Sequence, residues 1–330
     1  MKINVLKKDE IYKINNLISE YKFHDYNAYR MINKDKLREY LFNQISNLSK
    51  DKNSQVVLAA ESNGPVGLAS LTYLPWDTKN FGFKMGKIGY LLGKGNYHSN
   101  IRIKNKLLNF IFSLCKEEKF VHLSCRIDVR DITSAHILEE NGFKIMDTLV
   151  TYVFSRVKNS IPKIKDLYKV RKFKDKDLGK LLALANSSFR QDRFHMDFHF
   201  PLNKADALYG EWVKNYCYGK KGETVLVAEN KNTEAVGFLA YKLSEDLTKL
   251  GYRVFGEGLS AVSPKAKGAY LSLVKASIKD VLSFADYGEF DTQIQNYEVI
   301  KIFQKFDFKI VRTKHTFHKW LGQRVGSEID

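Results

Sequence analysis

The chain has 330 residues, a length that fits about two domains. Hydrophobic residues at 44% and aromatics at 13% exclude a disordered chain, and only five prolines with no Ser/Gly/Pro-rich tract exclude a low-complexity linker. A formal net charge of +17 and a pI near 9.5 favour polyanions or phosphorylated small molecules as partners. The lysines are scattered, however. The densest run, KVRKFKDKD at 169–177, has aspartates interleaved, so charge alone leaves a solvated basic surface and a nucleic-acid partner both open.

From the start of the chain, MKINVLKKDEIYKINN has no apolar run of signal-peptide length, and no later stretch approaches a membrane span. The expectation is a cytoplasmic protein with no membrane partner. Residues 57–61 (VLAAE), the turn Ser62-Asn63-Gly64-Pro65 and 66–74 (VGLASLTYL) read as a hairpin. Ile103, Leu107, Phe110, Ile111 and Leu114 keep helical spacing. Residues 126–153 then read as a β-type segment, a short helix and a strand. The polar stretch 155–166 (SRVKNSIPKIKD) suggests a boundary, with domains at 1–157 and 158–330.

Beyond it the same order returns. Residues 225–229 (VLVAE), a turn and 236–243 (VGFLAYKL) repeat the hairpin, and Leu271, Val274, Ile278, Val281, Leu282 and Ala285 mark an amphipathic helix. At an offset of 165, Asp131 falls on Asn296, Phe143 on Phe308, Lys144 on Lys309, Ile145 on Ile310, Thr148 on Thr313 and Thr151 on Thr316. Each half therefore predicts an α/β fold with a mixed sheet flanked by helices. Cys115, Cys125 and Cys217 lie far apart without CxxC spacing, which predicts reduced structural thiols and no metal site.

The segment 261–270 (AVSPKAKGAY) holds the chemistry-bearing pattern. A strand ends at Val262, Pro264 stops pairing, and Gly268 opens the helix. First-turn amides have no intrahelical partner, so this junction can hold a phosphate, with Lys265 and Lys267 adding charge. On residue types alone it is equally an ordinary strand–helix loop.

The run strand, V-x-P-x-x-K-G, helix, and then β-N-x-helix-GF-like-β resembles the GNAT family of acyl-CoA-dependent N-acetyltransferases. Around 192–215, 292–296 (TQIQN), 316–321 (TFHKWL) and 74–83 (LPWDTKNFGF), the chain looks like the branch that acetylates dTDP-fucosamine, a 4-amino sugar on a nucleotide. The resemblance implies two tandem GNAT-like domains, the second carrying the cofactor loop. It implies acetyl-CoA as co-substrate, no metal, and a small-molecule acceptor, a nucleotide-linked amino sugar, in preference to nucleic acid. Ala261, Val262, Lys265, Lys267, Gly268, Ala269, Tyr270 and Asn296 would contact the cofactor, although Tyr270 stands where the family has a small residue. By residue type Asn296 is equally a helix N-cap.

The implied mechanism is direct attack of the acceptor amine on the thioester, whose carbonyl is polarised by an amide near 260–262. The branch places a tyrosine seven residues after the asparagine to protonate the leaving thiolate. Here that position is Phe303, which has no proton to donate, and Tyr297 or Tyr270 are the neighbouring substitutes. Glu257 is the candidate base on the fourth strand. His315 and His318, three apart on the last strand, should face opposite ways, so at most one, here His318, reaches the cleft. Arg193, His195 and Asp197 match the acceptor-covering segment, where Arg193 and His195 could hold phosphates. Trp76 and Asp77 could reach the same acceptor or could simply pack.

In the first half, the offset of 165 places Ile103 on Gly268. A β-branched side chain there would keep a pyrophosphate away. That half is expected to serve as scaffold or acceptor wall, and Gly95→Ala there to matter little.

Overall fold

A computed structural model describes residues 1–29, 32–155, 161–219 and 223–322, with the side chains of Glu245, Asp246 and Glu257 outside that description. The first half contains β1 (Lys2–Val5), α1 (Asn15–Glu20), α2 (Lys34–Lys50), β2 (Ser54–Glu61), β3 (Gly64–Tyr73), α3 (Pro75–Phe81) and β4 (Met85–Gly93). It continues with α4 (Tyr97–Glu117), β5 (His122–Asp128), α5 (Ile132–Glu140) and β6 (Lys144–Ser155). The second half repeats this order. It has β7 (Lys169–Lys172), α6 (Leu178–Ser188), α7 (Leu202–Tyr218), β8 (Glu223–Glu229), β9 (Ala235–Leu243), α8 (Glu245–Lys249) and β10 (Val254–Val262). It closes with α9 (Ala269–Val281), β11 (Tyr287–Gln293), α10 (Tyr297–Lys305) and β12 (Lys309–Trp320). Both predicted hairpins form, as β2–β3 and β8–β9. The short strands β1 and β7 and the helices α3 and α8 carry too little periodicity to be predicted.

Two compact units result, and their limits differ from the expected division at 157/158. The first unit is Met1–Thr148 joined by Lys314–Trp320 of β12, and the second is Leu149–Thr313. The reason is strand exchange. Leu149–Ser155 of β6 pairs antiparallel with β11 in the second unit, and Lys314–Trp320 pairs antiparallel with β5 in the first. The expected boundary at 157/158 lies in the stretch 156–160, outside the described residues.

Within the first unit the strands run in the order β1-β2-β3-β4-β5-β12. One face packs on α4 and α5 through Leu107, Ile111, Ile137, Leu138 and Phe317. The other packs on α1 and α2 through Ile18, Leu41 and Ile45. The second unit has the order β6-β11-β10-β9-β8-β7. Its α9/α10 face is rich in aromatics, including Tyr152, Phe154, Phe255, Phe290, Phe303 and Phe308, while α6 and α7 cover the other face through Leu181, Tyr209 and Val213.

One feature of each sheet prepares a site. In the second unit β10 and β11 run parallel and pair only over Val254–Gly256 and Tyr287–Glu289, after which they part. At that point the β9–β10 register shifts between Glu257 and Leu259, a bulge of the kind that redirects a strand. In the first unit β4 and β5 pair from Met85/His122 to Ile88/Cys125 before parting.

Candidate active site

Beyond the bulge, the backbone of β10 has its β11 side open. Ser263 N donates to Val236 O at 2.8 Å, which makes that opposed couple a hydrogen-bonded one. Antiparallel couples alternate. Ala261 therefore turns its amide toward β9, and the amides and carbonyls of Ser260 and Val262 face the gap left by β11. Those unpaired groups can accept an extended chain as a further strand, and one amide can polarise a carbonyl placed there.

The loop after β10 is held by its own bonds. Ala266 N donates to Ser263 O at 2.9 Å and Ala269 N to Ala266 O at 3.0 Å. Gly268 is the N-cap of α9 at φ +86°, a left-handed conformation that favours glycine. It offers no side-chain acceptor, so no side-chain cap is made. Lys265 and Lys267 are exposed beside it. Asn296 is the N-cap of α10, yet its side chain makes no capping bond either. The N-cap reading of Asn296 is thus right for position only, and the amide group remains open for a ligand. Two helix N-termini without side-chain caps flank the parted strands, an arrangement suited to anions even though the leading amides of Ala269 and Tyr297 are bonded within their own loops.

Next to Gly268 lies a hollow of about 630 Å³, lined by Leu167, Gly268, Leu271, Glu298, Lys301, Ile302, Gln304 and Lys305. Leu271 and Ile302 offer apolar surface, and Lys301 and Lys305 stand one turn apart on α10. Lys301 is held by Glu298 at 3.0 Å. Neither lysine was singled out from sequence, although their i, i+4 spacing on a helix face is legible there.

The first unit also has a hollow at the equivalent positions, about 710 Å³ and lined by Asn96, Tyr97, Lys104, Asp131 and Thr133, but there both helix ends carry side-chain caps. Asn96 caps α4, accepting from Ser99 N at 3.0 Å, and Asp131 caps α5, accepting from Ser134 N at 3.1 Å. Lys104 reaches across from α4, with Nζ 2.8 Å from Asp131 Oδ1, 2.8 Å from Thr133 Oγ1 and 2.8 Å from Ser134 Oγ. Both side chains of the pair are buried. Burial pulls the Lys104 ammonium below its ordinary pKa, against the opposing pull of Asp131. This bolt replaces the expected role of Ile103, which requires correction. Ile103 lies inside α4, buried against Gly67, because α4 begins at Tyr97 and the constant offset fails there. Gly95 also differs from expectation: it has φ +92°, and a β-carbon on it would lie 2.6 Å from Ser99 Oγ.

Several other candidates occupy places that change their reading. Tyr270 is buried and packs toward Phe303 with ring centroids 6.4 Å apart, so its bulk points away from the loop. Phe303 is fully buried among Tyr152, Phe290 and Phe308. Tyr297 is exposed in the first turn of α10, beside Asn296. The backbone of Glu257 lies at the bulge, and its side chain falls outside the described residues. His318 belongs to the β12 segment of the first unit, buried with its ring edge-on to His122 at 4.5 Å. His315, on the opposite face as its odd spacing requires, meets Thr148 Oγ1 at 2.9 Å. Trp76 and Asp77 sit on α3 of the first unit.

The phosphate-binding expectation for His195 is corrected by its contacts. The imidazole is almost wholly buried, with Nδ1 2.5 Å from Asp192 Oδ2 and Nε2 2.9 Å from Asp206 Oδ1. Burial disfavours its charged form, but the two carboxylates outweigh that and raise its pKa. Both ring nitrogens are consumed, so His195 is a strut. Asp197 is likewise buried, accepting from His199 N at 3.2 Å. Arg193 lies over the Phe194 ring at 4.3 Å. The three cysteines are free thiols, each pushed up to about 12 by burial.

With this geometry in view, the chain can be set beside known proteins. No protein-family model matches it. The fold is that of GCN5-related N-acetyltransferases in tandem. A tandem GNAT protein from the clavulanic acid biosynthesis pathway aligns over 98% of this chain and 99% of its own, with TM-score 0.56 and 12% identity. A GCN5-related N-acetyltransferase from Sphaerobacter thermophilus aligns over 97% and 95%, with TM-score 0.59 and 11% identity. A GCN5-related glucosamine N-acetyltransferase region of a fungal multi-domain GH3 β-N-acetylglucosaminidase aligns over 96% of this chain and 38% of that one, with TM-score 0.63 and 14% identity. In sequence, the spore coat polysaccharide biosynthesis protein SpsD of Bacillus subtilis (strain 168) is 20% identical over 228 residues, 67% of this chain and 74% of that protein.

Proposed function

We propose that the protein is an acetyl-CoA-dependent N-acetyltransferase that acetylates the amine of a nucleotide-linked amino sugar. The observation that carries the reading is the contrast between the units. The second leaves the N-termini of α9 and α10 uncapped by side chains around parted strands, whereas the first caps both, and Lys104 from within α4 ties down the cap of α5. A pyrophosphate would sit on the amides after Gly268, with Lys265 and Lys267 nearby. The adjoining hollow, with Lys301 and Lys305, is of a size for a phosphorylated nucleoside. The pantetheine arm would pair with Ser260 and Val262 in the gap, which puts the thioester carbonyl against an amide of β10.

The amine then attacks the carbonyl carbon. The C–N bond forms, the C–S bond breaks, and the nitrogen's surplus proton ends on the sulfur, so amine and thioester become amide and thiol. Phe303 cannot supply that proton, and Tyr297, exposed at the head of α10, is the hydroxyl next to Asn296. The sugar acceptor is supported by the distant likeness to SpsD and by the basic surface. Calorimetry with acetyl-CoA tests the donor: one site per chain is expected, and two sites or none would remove the contrast on which the reading stands. Thiol release with 4-amino-dideoxy sugar nucleotides then tests the acceptor. A basic groove binding tRNA without acyl-CoA affinity would favour an aminoacyl transferase.

A further inference from the structure

The bulge of β10 carries two glycines, Gly256 and Gly258, on either side of Glu257. Phe255 packs into the α9/α10 core, so Gly256 faces the α6/α7 side, where an added β-carbon would meet nothing within 4 Å among the described residues. Gly258 faces the same side. There a β-carbon would lie 1.7 Å from Tyr216 Oη and 2.0 Å from its Cζ. The phenol of Tyr216, on α7, therefore rests on the bare backbone of β10. It does so beside Gly256, the last residue before the parallel pairing with β11 ends. Tyr216 packs against the α6/α7-side core cluster that includes Val213, Leu259 and Ala261. On this side of the strand neither Gly256 nor Gly258 carries a side chain, and the Tyr216 hydroxyl lies at Gly258, where the gap between β10 and β11 opens.

We propose that Tyr216 is an acceptor-positioning residue. Its hydroxyl accepts a hydrogen bond from the attacking amine and holds the nitrogen's lone pair toward the thioester, from the α6/α7 side of the sheet. This rests on the acetyltransferase reading. It explains why both flanking positions are glycine: a side chain at 256 would fill the approach, and one at 258 would displace the hydroxyl.

The test uses the full chain, acetyl-CoA and dTDP-4-amino-4,6-dideoxygalactose as probe. Tyr216→Phe keeps the ring packing. It should leave acetyl-CoA affinity and thermal midpoint unchanged, raise KM for the probe and lower kcat/KM by about tenfold, the scale of one lost hydrogen bond. Gly258→Ala, which keeps the hydroxyl but pushes it aside, should reproduce the loss. Unchanged kinetics in Tyr216→Phe overturn the assignment, and so does a Gly258→Ala enzyme with full activity. If the wild-type chain binds acetyl-CoA but does not turn over the probe, the amino-sugar reading fails and takes this assignment with it. If the chain does not bind acetyl-CoA, the donor reading fails first, a distinct result.

Discussion

At Gly268 the conformational constraint and the proposed ligand contact meet in one residue. The Leu167 methyl that faces it could swing aside, but φ +86° cannot suit a β-branched residue. Gly268→Val should cost about 1–2 kcal/mol of stability and abolish measurable acetyl-CoA binding, read by denaturant melts and calorimetry. Gly95→Ala should cost about 1 kcal/mol for the same backbone reason and leave acetyl-CoA binding intact. Loss of binding in Gly95→Ala would assign the cofactor to the wrong unit. His195 gives a pH signature. Its pKa is raised, so its stabilisation is complete below the ordinary value of about 6.5 and fades as pH rises through the raised one. Burial opposes ionisation of Asp192 and Asp206, yet their partners, His195 first, lower both. That contribution is present above about 3.9 and fades as pH falls through the lowered values. The stability advantage of wild type over His195→Gln, about 1–3 kcal/mol, should therefore be largest near pH 5. Thermal melts showing an advantage that grows toward pH 9 would contradict it.

At the scale of elements, the four helix N-termini are informative because equal positions have unequal partners. Lys104 and Asp131 are a buried pair, and removing one partner leaves the other charge uncompensated. Asp131→Asn should therefore destabilise the first unit by about 3–5 kcal/mol, while Lys104→Met with Asp131→Asn recovers most of that loss. Urea unfolding of the two variants and the double variant would measure the coupling. Additive costs would mean that the bolt is not a unit. The same elements show where sequence reasoning stopped. Asp131 and Asn296 align by simple offset, and both are N-caps. Yet the Asp131 side chain caps its helix and the Asn296 side chain does not, a difference set by tertiary surroundings. The Ile103 equivalence failed because α4 spans 21 residues and α9 only 13. Apolar spacing in the middle of a helix does not report where the helix starts.

For the whole molecule, the exchanged strands matter most. A fragment of residues 1–157 lacks Lys314–Trp320, which leaves β5 with an unpaired edge and removes Phe317 from the core. It should aggregate or remain unfolded by circular dichroism. A monomeric, cooperatively melting fragment would show that the exchange is dispensable. Among the described residues no helix is long and apolar enough to cross a membrane. The high positive charge is spread over both halves of the chain.

The order of elements, the tandem repeat and the glycine at the strand–helix junction before α9 were determined by the sequence itself. Local periodicity, turn residues and one glycine at a strand–helix junction carry that information along the chain. Tertiary structure alone decided which strand segments complete which sheet, that Lys104 of α4 bolts the start of α5, and that His195 is consumed by two aspartates. It also brought Tyr216 to the bulge beside Gly258, from a helix some forty residues earlier. These are contacts between residues far apart in sequence. No spacing rule records them, because they arise from how helices and strands pack once the elements have formed.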